Sequence, residues 1–433
     1  MLPLVLLILK MAGAEELTLE GSIKIALKHN PDVLKAEQLV REKKWALMYY
    51  RSERFPQVSL VGSYYGAEDT THRSATLRVS QEVLRFGRTP YLELKARREY
   101  RKARFAYRRT VADVISRVRK AFLSVLLTED EIAERMELLK EFERKHRRME
   151  ERLEVGKVRP IDVKEARLEV LDERLRINTL ERALRAQKLE LLKVMGLLGR
   201  ASPDGIELVG EVPEEEVPED SLDAMVRKAL ENRSEVAELR EEVEEQRRLV
   251  RQALWEWFPG ITASASYGRG RTDLNFRMSK VEGQWRGTMY LERPLGRGTE
   301  REDWEVRVGL VFPIFRGMRN WGVLQEERAK LKSLEYELKK LEDRIEVEVR
   351  EDFFKVLDAK ERLDIQRERV EITKERLEIF EALIEYEWAR YITYEDLLRR
   401  REDFHSAQRE YFSDRREYVM ALEDLRRAVE EWR

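Results

Sequence analysis

The sequence predicts a mainly α-helical protein with a small β part, built as two tandem helix–strand–strand–helix–helix units. Three observations carry this: the chain repeats itself, its composition suits very long solvated helices, and four short segments alternate apolar and polar residues. Ala26-Leu27-Lys28-His29-Asn30-Pro31-Asp32-Val33 returns as Ala229-Leu230-Glu231-Asn232-Arg233-Ser234-Glu235-Val236, 203 residues later. The same offset carries Phe55-Pro56 onto Phe258-Pro259 and Tyr64 onto Tyr267. Arg85 and Arg88 then match Arg316 and Arg319 at an offset of 231, and Asp162-Val163 matches Asp396-Leu397 at 234. The second unit therefore holds 28 extra residues between Tyr267 and Val306, roughly Arg269 to Asp303, expected in the outer loop of the second strand pair, where they could cap the strands, extend them or be tolerated as a surface loop. A tandem repeat of this size implies a pseudo-twofold protomer.

Composition supports the helices and narrows the function. Charged residues make up 39% of the chain, interrupted by only 11 prolines and 20 glycines, as long solvated helices require. Lys plus Arg is 84 against 85 for Asp plus Glu, so no basic excess points to nucleic acid. Cysteine is absent, which excludes disulfides and thiolate metal sites. Leu2 to Leu9 is apolar and Ala12-Gly13-Ala14 is a small-residue cleavage site, so residues 1–14 are expected to be a secretory signal peptide. No later run reaches the roughly 18 apolar residues of a spanning helix, so any membrane crossing must use strands.

The expected organisation is a first repeat over 15–209, an acidic linker over 210–223 with Pro213 and Pro218, and a second repeat over 224–433. Asn30-Pro31 supplies an N-cap and an N1 proline, and Phe55-Pro56 stops the helix they start. A long helix is expected from about Pro90 to Glu154; Gly156 and Pro160 break it before a returning helix to Val194. In the second unit the helices run from Arg233 to Trp257, from Met318 to Trp388 and from Thr393 onward. Leu324, Leu331, Leu334, Leu338, Leu341, Ile345 and Val349 form a coiled-coil seam. In each unit the short and returning helices together nearly equal the long one, so end-to-end stacking predicts a tube of uniform height, roughly 90–100 Å.

Strands are expected at about 57–66, 75–84, 260–268 and 304–312. Val58, Leu60, Gly62 and Tyr64 face away from Ser59, Val61, Ser63 and Tyr65; Ile261, Ala263, Ala265 and Tyr267 face away from Thr262, Ser264 and Ser266. Leu77, Val79 and Val83 likewise oppose Arg78, Ser80 and Glu82, while Val306, Val308, Leu310 and Phe312 oppose Glu305 and Arg307. One apolar and one polar face is what lipid outside and water inside demand. Phe55, Phe86, Tyr91, Trp255, Trp257, Phe258, Phe315 and Trp321 cluster at the strand–helix junctions, like an interfacial girdle. Four strands cannot close a barrel, and open edges in lipid cost several kcal/mol per unpaired group. Two copies would supply eight strands and three would supply twelve.

The Ala-Leu-x-x-Asn-Pro-Asp start, the Phe-Pro junctions, Val311-Phe312-Pro313-Ile314-Phe315-Arg316-Gly317, and Val155-Gly156-Lys157 ahead of Asp162-Val163 resemble the TolC outer-membrane efflux family, over Leu17 to Trp432. The resemblance implies a homotrimer, a 12-stranded transmembrane β-barrel on an α-helical tunnel, outer-membrane lipid around it, and docking to a periplasmic adaptor (membrane fusion) protein and an inner-membrane pump. It implies adaptor contacts at the helix-turn tips, Val155-Gly156-Lys157 and Ala389-Arg390-Tyr391; the second tip departs from the family's Val-Gly pattern. It also implies a periplasmic pore constriction ringed by carboxylates. Asp396 matches one such position, with Asp162 its repeat equivalent and Glu395 and Glu165 beside them; Arg399 replaces the family's second acid. Thr393-Tyr394-Glu395-Asp396 and Pro160-Ile161-Asp162 also read as helix-start caps.

No phosphate-binding glycine loop, nucleophile–base arrangement or metal-ligand spacing occurs, so neither enzymatic activity nor a cofactor is expected. His29, His72, His146 and His405 lie in separate segments and are expected at the surface. The competing reading is a structural coiled-coil protein of the cell envelope, which symmetric amphipathic strands do not favour.

Overall fold

A computed structural model describes residues 17–52, 55–67, 70–87, 91–156, 158–212, 217, 221–254, 260–270, 272–281, 284–294, 301–311, 318–385 and 394–429. The expected signal peptide therefore lies outside the described residues. The chain divides into two compact units, one from residues 1–35, 108–233 and 344–433, the other from 36–107 and 234–343.

Each half of the chain opens with a short helix that the repeat-based reading did not separate: α1, Leu19–His29, and, after the linker, α5, Leu222–Asn232. Thr18 caps α1 by accepting from the Gly21 amide at 3.2 Å, and Ser221 caps α5 by accepting from Ala224 at 3.3 Å. The last residues assigned to the linker thus belong to a helix start. Helix α2, Pro31–Arg51, follows α1, and α6, Ser234–Ala253, follows α5. The long helices are α3, Tyr91–Glu154, and α7, Arg319–Glu385; the returning helices are α4, Pro160–Val194, and α8, Tyr394–Val429.

In the first unit the antiparallel helices lie in the order α4–α3–α8–α7. Lys188–Glu129 at 2.8 Å and Arg135–Glu173 at 3.0 Å join α4 to α3. Arg119–Glu423 at 2.7 Å and Arg427–Asp113 at 2.5 Å join α3 to α8, and Arg362–Glu417 at 2.7 Å joins α8 to α7. Val114, Val118, Val125, Leu191, Leu192, Ile345 and Val349 are fully buried beneath these pairs. Most of the exposed pairs are worth little singly; burial of the apolar stripe holds the layer. Leu17 is fastened to the end of the first repeat, its amide donating to the Glu207 carbonyl and its carbonyl accepting from the Val209 amide. Gly196, at φ +73°, ends α4 where an added Cβ would collide with the His29 carbonyl.

The second unit holds all the described strands. Its helical segments are ordered α2–α3–α6–α7 by Arg51–Glu93 at 3.5 Å, by Arg101 with Glu245, and by Gln246 donating to the Glu327 carbonyl at 3.1 Å. The sheet contains β1, Gln57–Ala67; β2, Thr70–Gly87; β3, Gly260–Gly270; β4, Thr272–Val281; β5, Gln284–Pro294; and β6, Arg301–Val311. It is antiparallel throughout, in the order β1-β2-β5-β4-β3-β6.

This corrects the expectation of four strands and of an outer loop. The 28-residue insertion supplies β4 and β5, which lie inside the sheet between β2 and β3. The physical reason is period-two patterning within the insertion itself: Leu274, Phe276 and Met278 alternate with Asp273, Asn275 and Arg277. The twelve-strand count rests on four strands in each of three copies, whereas one copy supplies six. A register shift between Glu82 and Leu84 in β2 sets Leu84 opposite Gly287.

Candidate channel lining and tip residues

The sheet has two chemically different faces. Across its registered pairs one face carries Val58 and Leu60 on β1, Leu77 and Val79 on β2, Leu291 and Met289 on β5, Leu274 on β4, and Val306, Val308 and Leu310 on β6. Leu60 is 66% exposed, Val308 66% and Leu310 72%, an apolar surface too continuous to be left facing water. The opposite face is concave and lined by Arg78, Ser264, Ser266, Asn275, Arg277 and Tyr290 among others. Arg78 donates to Glu292 at 2.7 Å across β2 and β5, and Arg307 meets Glu305 at 2.5 Å along β6. A polar concave face with internally paired charges, backed by an apolar convex one, is the cross-section of a water-filled channel wall. Of the expected girdle, Phe55 is 55% exposed and Trp321 52%; Trp255, Trp257, Phe258 and Phe315 lie outside the described residues.

At the first helix-turn tip, Gly156 ends α3 at φ +70°, its amide donating to Leu153 at 2.9 Å. Val155 is 67% exposed, as a contact surface requires. Lys157 and the second tip, Ala389-Arg390-Tyr391, lie outside the described residues.

Asp162 sits three residues past the N-cap of α4 and is buried. Its Oδ2 accepts from the Arg159 backbone amide at 2.9 Å, and its Oδ1 accepts from the Arg159 guanidinium at 2.8 Å. The capping interpretation is therefore realised at Asp162, and the Arg159 side chain holds its carboxyl below the usual carboxylate range. Asp396, at the equivalent place in α8, is half-buried, and Arg399 is exposed. Glu395 falls in α8 with its side chain outside those described. Glu165 is half-buried, with one carboxylate oxygen buried and unpaired.

Sequence reasoning missed the ion pairs deeper in this helix layer. Arg401 is almost wholly buried, donates to Glu169 at 2.6 and 2.7 Å, and has its pKa lowered to about 10 by burial. His405 is largely buried, not at the surface as expected. It lies edge-on to Phe142 at 5.4 Å, and burial with nearby Arg176, Arg135, Arg401 and Arg409 lowers its pKa to about 4. Both partnerships join segments far apart in sequence, so only an apolar neighbour such as Phe404 hinted at burial.

No curated protein sequence gives a significant match. Among solved structures, a membrane protein from Pseudomonas aeruginosa is similar at TM-score 0.65 and 18% identity, covering 95% of this chain and 92% of that one. The outer membrane protein VceC from Vibrio cholerae matches at TM-score 0.64 and 14% identity, covering 95% of each chain. The CmeC outer membrane channel of Campylobacter jejuni matches at TM-score 0.64 and 15% identity, covering 95% and 85%. At these identities the likeness concerns the fold. The sequence profile described as outer membrane efflux protein matches residues 22–197 and 225–431, nearly the whole described chain, and the protein belongs to that family.

Proposed function

We propose that three copies of this chain close one continuous channel, each sheet joining its neighbours through the β1 and β6 edges. Family membership makes the chain a non-catalytic outer-membrane channel component of a tripartite efflux or secretion system, with its helices in the periplasm. The observation that carries the trimeric reading is the sheet itself: an apolar face more than half exposed on β1 and β6, and two outer strands that, among the described residues, are paired on one side only. In lipid, unpaired edge groups cost several kcal/mol each, so the folded state needs neighbouring copies.

The periplasmic end is formed by the tips. Val155, Gly156 and Lys157, with Ala389, Arg390 and Tyr391, make the surface that a periplasmic adaptor grips, and the adaptor couples the channel to an inner-membrane pump. The constriction is drawn from Asp396, Glu395 and Glu165 with Arg399. Asp162 belongs to the same ring by position, but its charge is already countered by Arg159. Native mass spectrometry of the detergent-extracted protein tests the assembly: three chains are expected, and a stable monomer or dimer in lipid overturns the trimer. Planar-bilayer conductance tests the conduit, and purified protein that inserts without conducting overturns it.

A further inference from the structure

We infer that the inserted hairpin β4–β5 is part of the barrel wall and widens it, so that a trimer closes with eighteen strands and not twelve. The inference rests on the trimeric reading above for the total, but the place of the hairpin stands on the sheet alone.

Three observations converge. First, the hairpin does not lie over the sheet; it separates β2 from β3 and pairs with both, Ser80 with Tyr290 on one side and Ser266 with Asn275 on the other. Second, it carries the two-faced chemistry of a channel wall. Leu274, Met289 and Leu291 continue the apolar face, while Glu292 pairs with Arg78 of β2 on the polar face at 2.7 Å. A cap or an exposed flap has no need of an apolar stripe in register with its neighbours.

Third, six strands match the helices to which they are joined. Within this unit the helices are ordered α2–α3–α6–α7, and the strands joined to them run β1, β2, β3, β6 in the same order. Four helices packed at about 8–10 Å have three spacings, or roughly 24–30 Å from first to last axis. Strands about 4.8 Å apart and tilted about 40° are spread to about 6 Å along the rim. Four strands would then span about 18 Å and six about 30 Å. The hairpin fills the gap above the α3–α6 seam, with Gln284 at the start of β5 level with Gly87 at the end of β2.

Barrel diameter grows roughly linearly with strand number, so eighteen strands give a barrel about 1.5-fold wider than twelve, with about twice the enclosed area. The outer-membrane section then matches the helices joined to it in width.

Because the chain has no cysteine, introduced pairs report the wall directly. The full-length Ser80→Cys/Tyr290→Cys protein is expected to cross-link in membranes under mild oxidation. Ser80→Cys/Ser266→Cys, at the same height but with two strands between them, is expected not to. Loss of the first cross-link, or appearance of the second, overturns the hairpin's place in the wall. Electron cryo-microscopy of the extracted particle then counts strands. Eighteen in a three-chain particle supports the inference, and twelve in three chains overturns it. Two chains with twelve strands would refute the trimer and the count while leaving the first cross-link intact.

Discussion

The two halves of the chain make the same contact with different residues. In the first half, Asn30 joins α1 to α2, and its Nδ2 donates to the carbonyl of Val194 at the end of α4, at 2.7 Å. In the second, Arg233 occupies the place 203 residues on, and its Nε donates to the Ala428 carbonyl near the end of α8, also at 2.7 Å. Val194 and Ala428 are themselves related by the later offset of 234. The repeat therefore preserves a bond between the start of one helix and the end of another. The residue that makes it has changed. Asn30 also accepts, from the Asp32 amide at 2.8 Å, and so caps α2. Arg233 cannot accept; its second partner is Glu348 at 2.8 Å, whose carboxyl it holds below the ordinary range. Position 117, the counterpart of 348, carries Arg117, which pairs with Asp32 at 3.0 Å, so the charges are exchanged between the halves. A neutral joint in one half and an ionic joint in the other should fail differently.

The largest effect is expected at the ionic joint. Arg233→Ala removes a buried charged donor, takes the hydrogen-bonded partner from the Ala428 carbonyl and strips Glu348 of its guanidinium, a loss of about 3 kcal/mol. The midpoint of thermal unfolding in detergent measures it. Restoring the neutral solution with Arg233→Asn should recover part of the loss if the helix-end bond dominates. No recovery would mean that the Glu348 pair matters more and that the two joints are not equivalent.

A second difference separates the halves by pH. His405 of α8 is buried among arginines, whereas its counterpart in α4 is Leu171, 49% exposed. The folded pKa, about 4, lies below the ordinary 6.5, so between those values the unfolded chain binds a proton that the folded chain refuses. Stability is complete above pH 6.5 and is lost as pH falls toward 4, by up to about 3 kcal/mol for each chain. His405→Leu should flatten that slope without lowering stability at pH 8. An unchanged acid slope would show that His405 is not the titrating group.

The smaller loss is expected at the neutral joint. Asn30→Ala gives up the cap on α2 and the bond to Val194, together about 2 kcal/mol. Asn30→Asp separates the two, keeping the acceptor for the Asp32 amide while losing the donor, and should fall between wild type and alanine in unfolding midpoint. Equality with alanine would assign the whole effect to the Val194 carbonyl.

What the sequence made legible, and what it hid, follows the range of the interactions. Asn30-Pro31 marked a helix start because cap and proline act within one turn, and Val58 to Tyr64 marked a strand because alternation is local. The pattern of β4 was equally local, in Leu274, Phe276 and Met278, but the repeat offset marked those residues as an interruption and so as a loop. Helix α5 was hidden because acidic Pro213–Asp223 suggested a linker running on past Ser221, although Met225, Val226 and Ala229 already had helical spacing. At the tip, Asp162 was legible as a cap because Arg159 is three residues away. Burial of Arg401 against Glu169, 232 residues apart, depends on which helices become neighbours, and nothing local encodes that.

The smallest expected effect concerns the tip and divides stability from transport. Asp162 and Asp396 are repeat equivalents, and a simple symmetry argument would give them the same role. Asp162, however, is buried, accepts from Arg159 through both backbone and side chain, and has its carboxyl held below the ordinary 3.8. A depressed acid contributes stability that is fully present above its unfolded pKa and is lost as pH falls through the folded value, so nothing should change between pH 5 and 8. At neutral pH, Asp162→Asn keeps a weaker acceptor for the Arg159 amide but removes the charge at the helix N-terminus, costing about 1 kcal/mol. Its channels should conduct with nearly wild-type cation selectivity, because Arg159 already neutralises that carboxylate. Asp396→Asn should reduce cation selectivity and block by multivalent cations in planar bilayers. If Asp162→Asn shifts selectivity as much as Asp396→Asn, the carboxylate faces the pore despite its cap, and the two tips work as one symmetric ring.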